Sequence, residues 1–153
     1  MTEPKRRRRF IKPVLLGLLA LAAAIQLVPY GRDHTNPPVT AEPQWDSPRT
    51  RELAKGACFD CHSNETIWPW YSHVAPMSWL VQYDVEEGRR KLNFSEWDKP
   101  QKEAHEAAET VREGEMPLWF YVPTHPDANL SEADRQALIK GLEATIGSSR
   151  HKD

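Results

Sequence analysis

The pattern of apolar and polar positions opens on an unbroken apolar run. From Val14 to Val28 only Gln26 is strongly polar, and the run is rich in Leu and Ala. A stretch of this length is short for a membrane span, but Phe10 and Ile11 extend it, with Lys12 free to snorkel to the interface. Residues 29–48 then carry five prolines and almost no aliphatic side chain, which predicts a semi-extended tether. Beyond it the periodicity is helical. Ser47-Pro48 reads as N-cap and first helical position of a helix bearing Leu53, Ala54 and Ala57. Met77, Leu80, Val81, Val85, Gly88 and Leu92 recur at helical spacing. Pro100 is placed to start a further helix with Ala104, Ala107, Ala108 and Val111 on one face, stopped by Gly114. A last helix opens at Ser131-Glu132-Ala133-Asp134, an acidic variant of the capping box, and its stripe is Leu138, Leu142 and Ile146 with Ile139 alongside. No segment alternates with period two for long enough to argue a sheet, so the fold class is all-α.

Charge turns this pattern into an orientation. Residues 1–12 hold six of the 20 Lys/Arg and one of the 22 Asp/Glu, which leaves 14 basic against 21 acidic residues beyond them. The folded part is therefore acidic, which excludes nucleic acid as a partner. A basic flank before an apolar run fits a cleaved signal peptide or an uncleaved signal anchor, and the thin match of Ala22-Ala23-Ala24 to a cleavage region favours the anchor. The positive-inside rule keeps the Arg cluster in the cytoplasm and exports the chain beyond Val28. The expected organisation is a cytoplasmic basic tail (1–9), a transmembrane signal anchor (10–28), a proline-rich tether (29–46), one globular domain (47–147) and a polar tail (148–153). The protein is expected as a single-pass inner-membrane protein with its domain in the periplasm.

The chemistry concentrates in Cys58-Phe59-Asp60-Cys61-His62, which contains both cysteines of the chain. A disulfide closing so short a loop removes little entropy from the unfolded chain. In a helical turn the two sulfurs and the imidazole share one side. Two thiols so placed suit the two vinyl groups of one haem, with His62 within reach of the iron, and Cys-x-x-Cys-His reads as c-type haem attachment. A structural zinc site wants four ligands, and no further cysteine exists to complete the usual sets. A thioredoxin-like pair belongs to a βαβ setting, and no strands are predicted. Few aliphatics in the domain, with Trp68, Trp70, Trp79, Trp97 and Trp119 plentiful, also suit a core completed by a cofactor.

A six-coordinate haem takes a second axial ligand. Met116 is preferred, because it lies in a loop after two intervening helices. There Gly114 frees the backbone, and Pro117 holds the methionine out of helical conformation. His73 and His125 remain alternative distal ligands. The aromatic residues of the two irregular loops (Trp68, Trp70, Tyr71, Trp119, Phe120 and Tyr121) either wall the porphyrin or form ordinary core.

Taken together, CxxCH on an early helix, a Gly-x-Met-Pro loop and a C-terminal amphipathic helix resemble class I cytochrome c. The stretches CFDCHSNETIWPWYSHVAPMSWLVQYDVEEGRRKLNFSEW and REGEMPLWFYVPTHPDANLSEADRQALIKGL are similar to the bacterial haem-binding domain family of small, usually membrane-anchored proteins. The resemblance implies a cytochrome-c-like bundle around one covalent haem c, with Cys58 and Cys61 as thioether anchors, His62 as proximal ligand and Met116 as distal ligand. Leu118 stands where such loops often carry a second proline. The expected role is single-electron transfer to a redox partner protein in or near the same membrane, not enzymatic catalysis. A haem-based sensor with a labile distal ligand is the alternative.

Overall fold

The computed structural model describes residues 4–147, and residues 4–9 by their backbone alone; the expected polar tail 148–153 and the side chains of the basic tail 1–9 lie outside the described residues. Among these residues the chain forms six α-helices joined by irregular segments and short 3-10 turns, with no strand beyond a lone parallel bridge between Ala41 and Glu96. The all-α expectation therefore holds. Two compact units divide the chain, residues 4–34 with 69–83 and residues 35–68 with 84–147.

The first unit is built on α1 (Pro4–Ile25), which runs through Pro13. Among the described residues no helix is long and apolar enough to cross a membrane. Just past α1, the Gln26 side-chain amide donates to the Ala75 carbonyl and accepts from the Ala75 N–H, both at 3.0 Å. A 3-10 turn, Trp70–His73, leads to α4 (Met77–Lys91), whose first residues belong to this unit. The expected stripe is displaced here. Met77 and Leu80 are exposed, while Ser78 and Gln82 are buried, so the inward face is rotated by one residue. The contact behind this is distant in sequence: the turn at Gly31 (φ 83°) lies so close to Ser78 that a Cβ would meet its backbone at 2.6 Å. Only a small side chain fits at that contact.

In the second unit, α2 (Pro48–Ala57) starts where expected. Ser47 caps it, its Oγ accepting from the Thr50 N–H at 3.2 Å. The helix breaks at Cys58 (φ −129°), and a single further turn, α3 (Phe59–His62), carries the rest of the motif. The remaining helices are α5 (Ala107–Glu113) and α6 (Glu132–Ile146). Their core joins Leu53, Phe59, Leu92, Phe94, Val111, Leu138 and Leu142. Phe94 sits at its centre, 5.6 Å from the Phe59 ring, 5.1 Å from Trp45 and stacked with Trp97 at 6.0 Å.

Three expectations change on this scaffold. The helix predicted from Pro100 begins only with a 3-10 turn at Ala104–Glu106 and becomes α-helical at Ala107. Upstream groups are engaged elsewhere: the Glu103 N–H donates to the Lys91 carbonyl (3.1 Å), and the Gln101 amide bridges the Asn93 N–H and the Glu96 carbonyl. The proline-rich segment is irregular as expected, but from residue 35 onward it is part of this unit and not a free tether. Thr40 and Ala41 donate to the Ser95 carbonyl (2.9 and 3.2 Å), and the Trp97 N–H donates to Ala41 (2.9 Å). Those buried backbone groups need partners, and the extended segment supplies them. At the start of α6 the capping box is incomplete. Ser131 accepts from the Asp134 N–H, but the short Asp134 carboxylate takes up the Ser131 hydroxyl instead of reaching back to the backbone.

The loop after α3 is fixed to the loop after α4 by a buried polar network. Asn93 donates to the Asn64 side-chain oxygen (2.9 Å) and accepts from the Ser95 N–H (2.9 Å), while Ser95 Oγ accepts from the Asn64 N–H (2.9 Å). Removing one member orphans the others, and each buried orphan costs about 1–3 kcal/mol. Asn93→Ala is therefore expected to lower the unfolding free energy by about 3 kcal/mol, measured by urea denaturation of the cofactor-loaded protein. An unchanged midpoint would show that the network does not carry the loop.

Candidate functional site

Cys58 and His62 belong to one turn: the Cys61 and His62 N–H groups both donate to the Cys58 carbonyl, at 3.2 and 2.8 Å. The carboxyl-terminal half of α4 lies directly on that turn. A Cβ at Gly88 would stand 2.4 Å from the Cys61 carbonyl oxygen and 2.9 Å from its carbon, so only glycine allows the approach. Because α4 comes so close, His62 Nδ1 reaches the carbonyls of Gly88 and Leu92, both at 3.1 Å. Carbonyls only accept, so Nδ1 carries the proton and Nε2 presents its lone pair. Burial holds the imidazole pKa below its ordinary value, and the ring is neutral. An imidazole oriented by a carbonyl on its far nitrogen is the usual state of a metal-ligating histidine.

His62 lines a cleft of about 800 Å³, counting its solvent-facing mouth, that also takes in Cys58 and Met116. Ala57, Leu92, Phe94, Ala107, Val111 and Leu142 form its apolar wall, and Lys91 and Glu103, paired at 3.0 Å, stand among its charged lining. Met116 reaches the cleft because α5 ends there. Gly114 takes the left-handed conformation (φ 77°), and the N–H groups of Glu115 and Met116 both turn back onto the Thr110 carbonyl, at 2.9 and 3.1 Å. Neither cysteine is in a disulfide, and burial pushes both thiols up to about 12.

The other sequence candidates lie elsewhere. His73 belongs to the first unit, where its ring stands edge-on to His34 with centroids 4.4 Å apart. His125 stacks flat on Tyr121 (3.7 Å, 10°) with Nδ1 at 2.9 Å from the Tyr121 carbonyl, and it is not among the residues lining the cleft. The aromatic wall is Phe94, whereas Trp119 is 83% exposed and Trp70 79% exposed. These two tryptophans are neither core nor lining. Among the described residues no three His, Cys, Asp or Glu side chains gather to hold a metal ion, so the zinc reading has no ligand set.

One contact beside the site is invisible to sequence reasoning, although Tyr121 is among the loop aromatics that the sequence singles out. Asp60, inside the motif, accepts a hydrogen bond of 2.7 Å from the Tyr121 hydroxyl, across 61 positions of sequence. Its second oxygen accepts from the Ile67 N–H at 2.9 Å. Burial, and next the neighbouring Asp60, hold the Tyr121 hydroxyl far above its ordinary range, so it stays protonated and donates. No spacing rule links these positions, and neither residue type is unusual in its place.

The residues gathered here fit a haem. The cleft brings together a neutral imidazole with a free nitrogen, a thioether, a thiol and an apolar wall, and imidazole with thioether is an established axial pair for haem iron. Comparison with known proteins agrees. The family model described as haem-binding domain matches residues 20–144. No curated protein and no solved structure matches the chain. The matched span runs from the last turns of α1 through the CFDCH turn and Met116 to the end of α6, and the chain belongs to the haem-binding domain family, with haem as its cofactor.

Proposed function

We propose that the protein is a membrane-anchored monohaem c-type cytochrome that carries single electrons outside the cytoplasm. The observation that supports this most directly is His62, neutral, oriented through Nδ1 by two carbonyls and lining the same cleft as Cys58 and Met116. In this reading the Cys58 and Cys61 thiols each add S–H across one vinyl group, forming two thioethers without an oxidant. When bound, the haem supplies a one-electron iron couple, whose potential a methionine ligand raises. His62 Nε2 and the Met116 sulfur would hold its iron. With both in place no coordination position is left open for a substrate or a gas, which favours a carrier over an enzyme or a sensor. His73 and His125 are set aside as ligands in this reading, since the one packs on His34 and the other on Tyr121.

Anchoring rests on α1. Leu15, Leu16, Leu18, Leu19 and Leu21 are all exposed, and the part of α1 from Val14 to Ile25, apolar on every side, calls for an apolar surrounding. The apolar run continues past Ile25 through Leu27 and Val28, and Lys12 near its start can snorkel to the interface. The partner is then a redox protein in or near the same membrane.

Three outcomes are expected. The protein purified from an exporting host should give the pyridine haemochrome spectrum of a thioether-linked haem, retained after acid–acetone extraction. Cys58→Ala or Cys61→Ala should weaken that retention, and haem extracted fully from the wild type would sink covalent attachment. Met116→Ala should convert the low-spin spectrum to high-spin and admit CO to the reduced iron; a low-spin, CO-inert variant would exclude Met116 as ligand. Gly88→Ala should separate α4 from the Cys61 carbonyl, at about 1–3 kcal/mol of stability, and lower the haem content of purified protein severalfold. Wild-type loading of that variant would show that the close approach is dispensable.

A further inference from the structure

Beyond Met116, which packs against the core, the middle of the segment to Tyr121 has little apolar packing to hold it. Trp119 and Phe120 are exposed, their rings edge-on to each other at 5.7 Å. Its first end is fixed by the Glu115 and Met116 N–H groups on the Thr110 carbonyl. Its far end is fixed by a polar contact that crosses to the motif turn, the Tyr121 hydroxyl donating to Asp60 at 2.7 Å.

Asp60 is well placed to receive that bond. It lies between Cys58 and Cys61, and one carboxylate oxygen is already held by the Ile67 N–H at 2.9 Å. Its carbonyl accepts from the Thr66 hydroxyl at 2.7 Å. The second oxygen is thus presented in a fixed position. On the other side, the His125 ring covers the Tyr121 ring at 3.7 Å, and its Nε2 lies 3.9 Å from the same Asp60 oxygen. The tyrosine is therefore clamped by its hydroxyl and by its ring face. A hydrogen bond to a charged acceptor contributes more than one between neutral groups, and partial burial adds to it.

We propose that Asp60 and Tyr121 are positioning residues for the distal ligand: their hydrogen bond latches the Met116 loop to the turn that carries both cysteines and His62, and so keeps the thioether committed to the iron. The inference rests on the reading of Met116 as axial ligand. It adds that the strength of this ligation is set from the motif itself, through the side chain between the two cysteines. In the absence of the latch the loop keeps its Thr110 end and the packing of Met116 on the core but loses its tie to the motif turn, and the sixth position opens part of the time.

The test is the rate of CO binding to the reduced, haem-loaded full-length protein, with hydrogen exchange at the amides of residues 116–121 as a second readout. Tyr121→Phe keeps the ring stack on His125 and removes only the hydroxyl. It is expected to raise the CO rate and the exchange of these amides about tenfold, the population shift that loss of one charge-assisted hydrogen bond brings. Asp60→Asn keeps an acceptor oxygen and is expected to fall between Tyr121→Phe and the wild type. A Tyr121→Phe protein with lower thermal stability but a wild-type CO rate would overturn the latch and reduce the pair to a structural role. Should Met116→Ala bind CO no faster than the wild type, the ligand assignment itself falls, and the latch with it. A rate raised by Tyr121→Phe alongside an open Met116→Ala protein supports both.

Discussion

A methyl group at position 88 would lie 2.4 Å from the carbonyl oxygen of Cys61, well inside any allowed contact. The missing side chain lets α4 rest on the backbone of the motif turn, and much of the candidate site depends on that distance. The carbonyls at the carboxyl-terminal end of α4 are left without helical partners, as at every helix end. Here the Leu92 carbonyl, just beyond α4, receives the His62 Nδ1 proton, shared with the Gly88 carbonyl, which also accepts from the Leu92 N–H at 3.0 Å. One contact thus meets a helix-end requirement and sets the tautomer of a ligand. The Phe94 N–H, donating to the His62 carbonyl at 2.8 Å, secures the chain on the other side of the same residue.

Polar contacts do much of the positioning that aliphatic packing does in larger domains. The core of the second unit is small and centred on Phe94, flanked by Phe59, Trp45 and Trp97. Around it, the Asn64–Asn93–Ser95 network, the Ser95 and Ala41 backbone pairs and the Tyr121–Asp60 bond fix segments that have no regular structure. Each of these holds a loop at one point, and the cleft lies where α2, α5, α6 and the loop after α5 leave the interior unfilled. A bound haem adds apolar area where the chain itself provides little.

Local signals were legible where one residue decides the outcome. Ser47-Pro48 and Ser131 start helices, Gly114 ends one in the left-handed conformation, and the Leu138–Leu142–Ile146 stripe is buried as its spacing implies. The cysteine–histidine motif and Met116 were legible as chemistry, and the fold brings Cys58, His62 and Met116 to one cleft. What failed depends on distant partners. The first turns of α4 present Ser78 and Gln82 inward where Gly31 approaches Ser78, while Val85, Gly88 and Leu92 are buried as their spacing implies. The helix at Pro100 is delayed by hydrogen bonds to Lys91, Asn93 and Glu96. The proline-rich segment is captured from residue 35 because the backbone near Ser95 needs partners. None of these leaves a trace in local periodicity, and the Asp60–Tyr121 bond is the extreme case.

The two high thiol pKa values bear on the life of the chain before it meets its cofactor. Disulfide formation and oxidation both begin from thiolate. Burial pushes both thiols up and so favours the protonated sulfur over the thiolate at neutral pH. Protonated thiols are less prone to oxidation, although these two are neighbours in one turn. Burial that shapes a cleft for a ligand also preserves, chemically, the groups that would hold it.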